Sequence, residues 1–260
     1  MARKNLKTGK GRGIRPGPAP EGKKLRFNWM TPFILSHYDS KTLYAGANYV
    51  FKSENRGDQW TCISPDLSSN PGPERQGDVP VGTITDISES PLKKGLLYAG
   101  TDDGQLHVTR DDGATWTKIN KGLPNRWVSR VVASKYDEGT VFVSLTGYRE
   151  DDFEAYLYMS TDFGETWKSI VNNMPSESIN VIREDPTDQD ILYVGTELGA
   201  YCSIDKGKTW HSLCKTLPTC AVHDLALHAG TGDLVAGTHG RSVFVLHAKE
   251  IQKMKQEMAK

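Results

Sequence analysis

Long apolar runs, Cys-x-x-Cys pairs and an excess of either charge are all missing from this chain of 260 residues. No window approaches the roughly 18 apolar residues of a membrane-spanning helix, and the N-terminus lacks the apolar core of a secretory signal. Basic and acidic residues number 32 each, so net charge favours neither a nucleic-acid partner nor a membrane surface. These absences predict a soluble chain that carries no export signal.

The four cysteines form no Cys-x-x-Cys pair, which argues against a zinc or redox site. Signatures of zinc proteases, of α/β-hydrolases and of phosphate-binding loops are absent as well. We therefore expect neither a metal nor a cofactor. One local charge asymmetry remains: residues 1–26 hold nine basic residues and one acid, which is compatible with an electrostatic tail or with a solvated segment.

Four copies of one octapeptide determine the predicted fold. The pattern Ser/Thr-x-Asp/Asn-x-Gly-x-Thr/Gln-Trp occurs at 53–60, 109–116, 160–167 and 203–210, with glycines 56, 51 and 43 residues apart. Such periods are typical of propeller blades joined by loops of variable length. The Asp or Asn side chain suits a tight turn, the glycine permits a positive φ, and the tryptophan covers the sheet edge. The residues given this structural role are Asn55, Gly57, Trp60, Asp111, Gly113, Trp116, Asp162, Gly164, Trp167, Asp205, Gly207 and Trp210.

Apolar runs around each octapeptide complete a four-stranded unit. Runs such as LYAGTDDG (97–104) and LYVGTELG (192–199) read as strands that end in turns, and another apolar run precedes each of them. We predict an all-β fold, a β-propeller or part of one, with about five blades over residues 27–248 and a short helix within 249–260. The fifth unit has three strands only. Residues 1–26 are expected to supply outer strands, either of a preceding blade or closing the fifth.

These repeats resemble the Asp-box or BNR-repeat propeller superfamily, which includes sialidases, xyloglucanase-type glycoside hydrolases and sortilin. Segments such as LYAGTDDG and GTHGRSVFVL (237–246) are similar to the C-terminal portion of bacterial proteins described as BNR-repeat glycosyl hydrolases or sortilin N-terminal-like proteins. The resemblance implies a missing upstream propeller or neighbouring blades. It also implies a periplasmic or extracellular location.

A ligand would be expected on the loops at one face of such a propeller. Side chains that enter a first strand, or that lie between the second and third strands, are the candidates for this face: Trp29, Trp127, Arg130, Glu197, His223, Asp224, His239 and Arg241. Tryptophan rings suit sugars and arginine forks suit carboxylates. The alternative is structural, with the tryptophans packed between blades and Arg130 and Arg183 paired with Asp86, Glu184 or Asp224.

Three functions are compatible with this sequence. A module that binds a protein, a peptide or a glycan is favoured, because no coherent catalytic set is present. A glycoside hydrolase needs two carboxylates roughly 5–9.5 Å apart; Asp86 and Asp224 are weak candidates, with Asp102, Asp103 and Glu197 on the same face, and the resemblance implies that a second propeller is required. A structural fragment with an open sheet edge that pairs with another chain is the third.

Overall fold

The structure, a computed structural model, describes residues 1–213 and 217–258. These residues form 21 β-strands, two short 3-10 turns and one α-helix, α1, at Lys249–Met258. The chain divides into two compact units, Met1–Ile119 and Asn120–Lys260. The all-β class predicted from the sequence is confirmed, and so is the short C-terminal helix.

The first unit contains a hairpin and two four-stranded antiparallel sheets, blade 1 and blade 2. The hairpin strands are β1 (Ala2–Lys4) and β2 (Gly11–Gly13). Blade 1 consists of β3 (Phe33–Leu35), β4 (Leu43–Gly46), β5 (Val50–Ser53) and β6 (Thr61–Cys62). Blade 2 consists of β7 (Ile84–Glu89), β8 (Leu97–Thr101), β9 (Leu106–Thr109) and β10 (Thr117–Lys118). Within each blade the strands pair in chain order.

The second unit contains three further antiparallel sheets, blades 3 to 5. Blade 3 consists of β11 (Trp127–Ala133), β12 (Val141–Gly147), β13 (Asp152–Ser160) and β14 (Lys168–Ser169). Blade 4 consists of β15 (Ile179–Glu184), β16 (Leu192–Thr196), β17 (Ala200–Ser203) and β18 (His211–Ser212). Blade 5 has the three strands β19 (Val222–His228), β20 (Asp233–Thr238) and β21 (Val243–His247), as expected from the sequence.

The second strand of a blade is its most deeply buried element. Every residue of β4, β8 and β16 is buried, which explains why these strands read as continuous apolar runs. Two of their tyrosines have a carboxylate partner: Tyr193 Oη donates to Asp185 at 2.8 Å, and Tyr44 Oη donates to Glu89 at 3.3 Å. In β4 and β16 the hydroxyl group of the buried tyrosine is therefore hydrogen-bonded.

Each octapeptide closes the hairpin between the third and fourth strands. In the second copy, Asp111 Oδ1 accepts hydrogen bonds from Thr109 Oγ1 and from the backbone of Thr115, both at 2.8 Å, and Thr109 Oγ1 also accepts from the backbone of Gly113. The third and fourth copies repeat this network through Asp162 and Asp205. These aspartates are therefore occupied by the turn itself.

The backbone of the octapeptide explains its glycine. Two consecutive residues in every copy have positive φ, for example Asp112 at 58° and Gly113 at 92°. A Cβ atom at Gly113 would lie 2.6 Å from the carbonyl oxygen of Ile63. Glycine is required at this position by the contact as well as by the dihedral angle.

The tryptophan that ends an octapeptide links its blade to the preceding sheet. The Nε1 atoms of Trp116 and Trp210 donate to the carbonyl oxygens of Ile63 and Ile170, at 2.8 and 2.7 Å. Each acceptor follows the fourth strand of the blade before, within the same unit. An indole therefore makes one apolar contact and one directed bond across each of these junctions.

The N-terminal hairpin occupies the same position relative to blade 1. Trp60 Nε1 donates to Ile14 O at 3.1 Å, directly after β2. The hairpin register is also that of an outer blade hairpin, because Ala2 pairs with Gly13 as Phe51 pairs with Cys62. Strands β1 and β2 thus have the geometry of the third and fourth strands of a blade.

Helix α1 packs against blades 4 and 5. Ala248 and Ile251 are buried in their core, and Lys255 Nζ bonds to Asp188 and Asp190 at 2.7 and 2.9 Å. No described helix is long and apolar enough to cross a membrane. The thiols of Cys62, Cys202 and Cys220 are free, and Cys214 lies outside the described residues.

Candidate functional site

Four first strands contain a β-bulge close to their start. The pairing register shifts between Ile84 and Asp86 in β7 and at the corresponding positions of β11, β15 and β19. The residues at the bulge are Thr85, Ser129, Asn180 and His223. A bulge bends a strand and redirects its side chains. The predicted ligand residues Arg130, His223 and Asp224 lie at these bulges.

The connection between the second and third strands meets the start of the first strand. The backbone of Asp102 donates to Thr83 O, that of Glu197 to Ser178 O, and that of His239 to Ala221 O. The strand starts and these connections therefore form one end of each blade, as the sequence indicated. We call this end the loop face of its unit.

The carboxylates on the loop face of the first unit are occupied by structural hydrogen bonds. Asp102 Oδ1 accepts from the backbones of Gly82 and Thr83 at 2.8 and 2.9 Å, and Oδ2 accepts from Thr83 Oγ1 at 2.6 Å and from Asn28 Nδ2 at 3.2 Å. Burial raises the pKa of Asp102, although these hydrogen bonds oppose the shift. All four lone-pair directions of this carboxylate are used.

Two neighbouring carboxylates are held in the same way. Asp103 accepts from Thr101 through one oxygen, and from the backbone and hydroxyl of Ser69 through the other. Asp66 accepts from Arg26 Nη2 at 2.9 Å and from Asn48 at 2.7 Å. Asp86 is only 7% exposed. None of these groups presents a free carboxylate oxygen pair to a bound substrate.

Trp29, in contrast, projects from a fixed turn into solvent. Its side chain is 85% exposed, so it does not pack between blades. The turn is held by Asn28, whose Oδ1 accepts from the backbone of Met30 at 3.1 Å and whose Nδ2 donates to Thr83 Oγ1 at 2.9 Å. Met30 and the β3 residues Phe33 and Leu35 are exposed as well. The first unit therefore displays an apolar surface next to its loop face.

The second unit places two guanidinium groups on one carboxylate. Asp224 Oδ1 lies 2.7 Å from Arg183 Nη2 and 3.3 Å from Arg130 Nη2. Arg183 Nε also donates to Leu225 O at 2.8 Å. Asp224 is one of the three acids that the sequence offered as partners of Arg130 and Arg183. This arrangement neutralises Asp224.

The remaining candidates of the second unit form a weaker polar group. Glu197 Oε1 accepts from Asn180 Nδ2 at 2.9 Å and lies 3.9 Å from His223 Nε2. The rings of His223 and His239 meet edge to face, with centroids 5.2 Å apart. Arg241 is exposed in the connection between β20 and β21. This group offers an acid, two imidazoles and a cation to solvent.

The hairpin between β12 and β13 carries an aromatic cluster that was not singled out from the sequence. In blade 3 the paired residues Val143 and Tyr158 are 15 positions apart, whereas Ala99 and His107 in blade 2 are 8 apart. The longer hairpin exposes Tyr148 and Phe153, whose rings meet edge to face. The Arg149 guanidinium lies 4.3 Å above the ring of Trp127. The sequence signal for this cluster is that no Gly-rich turn follows VFVSLTG (141–147), which indicates an insertion in the hairpin between the second and third strands of blade 3.

Comparison with known proteins identifies the fold. The profile of the family described as the DUF6242 beta propeller domain matches residues 81–216. A xyloglucanase of Hypocrea jecorina is 27% identical over 133 residues, which are 45% of this chain and 16% of that protein. The β-propeller fold predicted from the sequence is confirmed.

Similar solved structures have the same fold, and this chain matches only part of their length. The GH74 xyloglucanase of Xanthomonas campestris superposes with a TM-score of 0.64 and 14% identity, over 86% of this chain and 37% of that one. A structure described as YCF48 bound to D1 peptide gives a TM-score of 0.55 and 13% identity, over 89% and 71%. The chain thus spans less than two fifths of the length of the xyloglucanases it resembles.

Proposed function

We propose, from the premise that the chain belongs to the DUF6242 beta propeller domain family, that it is a binding module whose loop face recognises a protein, a peptide or a glycan. The observation that carries the proposal is Trp29, a large apolar side chain that is 85% exposed on a turn fixed by Asn28. Large aromatic side chains displayed beside further apolar groups are characteristic of binding surfaces.

A protein or a peptide is favoured over a glycan as the ligand. Met30, Phe33 and Leu35 extend the exposed apolar surface beside Trp29, and flexible or aliphatic side chains suit an apolar peptide segment better than a polar sugar. The similar structure described as YCF48 bound to D1 peptide supports this choice, because it is a chain of the same fold with a peptide ligand.

The same geometry argues against hydrolysis of a glycan by this chain. A glycoside hydrolase needs two available carboxylates, but Asp102 and Asp103 accept structural hydrogen bonds and Asp86 is buried. Asp224 is paired with two arginines. Hydrolysis remains the alternative prediction, because the chain is similar to part of a xyloglucanase.

Two finer assignments belong to this proposal. We infer that the octapeptides are Asp boxes of the BNR type, since their aspartates serve the turn alone. We also infer that β1 and β2 are the outer half of a further blade that precedes blade 1. The alternative, in which residues 1–26 complete blade 5, fits less well, because blade 5 lacks one strand and the hairpin supplies two.

The experiment is a selection of peptide ligands from a displayed library, alongside a glycan array that includes xyloglucan fragments. Replacement of Trp29 by alanine should weaken the selected peptide at least about tenfold, as expected for a binding hot spot. Leu92→Ala removes a different exposed apolar side chain of the same unit and should leave affinity unchanged. Release of reducing sugar from xyloglucan, or a peptide that is insensitive to Trp29→Ala, would overturn the proposal.

A further inference from the structure

A cavity of about 760 Å³ lies between the N-terminal hairpin and the first octapeptide turn, inside the first unit. This volume is within the range of small-ligand sites, about 300–1,000 Å³. Six basic residues line the cavity, together with a single acid: Arg3, Lys4, Lys10, Arg12, Lys41, Arg56 and Asp58. The lining therefore carries an excess of five positive charges, although the net charge of the whole chain is zero.

Hydrogen bonds and ion pairs within the cavity wall fix the positions of two of the cationic side chains, while most of the positive charge remains. The guanidinium groups of Arg3 and Arg12 lie 2.9 and 2.8 Å from the same oxygen of Asp58. Arg3 also donates to the carbonyl oxygen of Arg56 at 2.9 Å. One carboxylate thus holds two guanidiniums in place and neutralises one of them.

Three further cations of the wall have no such compensation. Lys4, Lys10 and Arg56 make no ion pair with any of the residues that the structure describes. Like charges gathered around one concave surface repel one another and attract anions. A ligand with several anionic groups would relieve this repulsion, whereas a single small anion would leave most of it.

The neutral part of the wall narrows the chemical class of the ligand. No aromatic residue lines the cavity, so the bases of a nucleic acid would have no ring to stack on. The amide of Asn5 and the hydroxyl of Thr8 are instead suited to hydrogen bonding with hydroxyl groups. Arginine forks bind planar carboxylates and tetrahedral oxyanions in a directed way.

We propose that this cavity binds an acidic oligosaccharide, a glycan chain that carries sulfate or uronate groups. The site is separate from the loop face and from Trp29. It is built by the outer strands of the hairpin and by the octapeptide turn of blade 1. Its ligand is therefore independent of the ligand proposed for the loop face.

Titration calorimetry with a heparin-derived hexasaccharide tests the proposal on the full chain. The wild-type chain should bind the hexasaccharide, and high salt should weaken that binding strongly, because exposed charge pairs are screened. The variant Lys4→Gln/Lys10→Gln/Lys41→Gln should lose affinity by roughly tenfold or more, since three charge contacts are removed. Arg12→Gln should shift the affinity in the same direction and leaves the contact between Arg3 and Asp58 in place.

A matched control removes the same number of charges elsewhere in the first unit. Lys23, Lys24 and Lys94 are exposed lysines outside the cavity lining, and Lys23→Gln/Lys24→Gln/Lys94→Gln should bind the hexasaccharide as the wild-type chain does. The proposal is overturned if the wild-type chain does not bind, or if both triple variants lose affinity equally. Tighter binding of polyphosphate or of single-stranded DNA than of the hexasaccharide would also overturn it.

Discussion

The indole of Trp210 joins blades 3 and 4, and its replacement by phenylalanine measures the stability of that junction. Trp210 is 4% exposed, and its Nε1 donates to Ile170 O at 2.7 Å. Phenylalanine retains an aromatic ring but has no donor, so the buried carbonyl group of Ile170 loses this partner at a cost of about 1–3 kcal/mol. The smaller ring also removes buried apolar area, for ~1 kcal/mol more. We expect a total loss of about 2–4 kcal/mol in the free energy of unfolding.

Trp60→Phe is the matched control for this substitution. Its indole makes the corresponding bond, to Ile14 O at 3.1 Å, but Trp60 is only half-buried and its partner lies on the N-terminal hairpin. The lost bond is closer to water, so we expect about 0.5–1.5 kcal/mol. The effect should also be local, with faster hydrogen exchange in β1 and β2 and little change in blades 4 and 5.

Urea unfolding of the wild-type chain, Trp210→Phe and Trp60→Phe, followed by hydrogen exchange, tests both expected losses of stability. The reasoning fails if Trp210→Phe costs less than about 0.5 kcal/mol, the usual range of an uninvolved surface substitution. It fails equally if Trp60→Phe destabilises the second unit as much as Trp210→Phe does.

Three further results are expected. His107 is largely buried on β9, where burial and then Lys118 lower its pKa to about 4. The imidazole is protonated near pH 6.5 in the unfolded chain but only near pH 4 in the folded protein, so the free energy of unfolding should fall by on the order of 3 kcal/mol as pH drops from about 6.5 to 4. Urea midpoints of His107→Gln should not show this fall. Hydrogen bonds from Thr115 lower the pKa of Asp111 to about 2, and hydrogen bonds from Ser160 and Thr166 lower that of Asp162 to about 2. NMR titration should place both titration midpoints there. The stability that these two carboxylates contribute should be present above about pH 4 and lost as pH falls through 2. Lys255→Gln removes the contacts with Asp188 and Asp190 and should speed proteolytic cleavage within α1, while Lys253→Gln, an exposed lysine of the same helix, should not.

The sequence predicted the scaffold well because the scaffold depends on local chemistry. The octapeptide needs an acceptor at Asp111, a glycine at Gly113 and a threonine at Thr115, all within one turn. The buried second strands need only continuous apolar residues. The fourth strands are short, with only Thr117–Lys118 paired to the third strand in blade 2.

Longer-range features could not be derived in this way. The acceptor of Trp210 is Ile170, 40 residues away, and nothing in either local sequence specifies the bond. The bulges depend on the pairing register of two strands, which an apolar pattern does not fix to one residue. The exposure of Trp29 depends on what covers its turn, so sequence alone left packing and ligand binding equally open for this residue.

Equivalent blades carry different side chains at the bulge of the first strand. At the bulge, the same backbone geometry presents Thr85, Ser129, Asn180 and His223 in successive blades. The next residue is Asp86, Arg130, Val181 or Asp224. A requirement of the scaffold would favour one residue type at each position, as the octapeptide glycines illustrate. Since the backbone is constant and the side chains vary, the bulge alone does not determine the residue type at these positions. Some of these side chains still contribute to the fold, because Ser129 Oγ donates to Ile179 O at 2.8 Å and Asp224 pairs with Arg183.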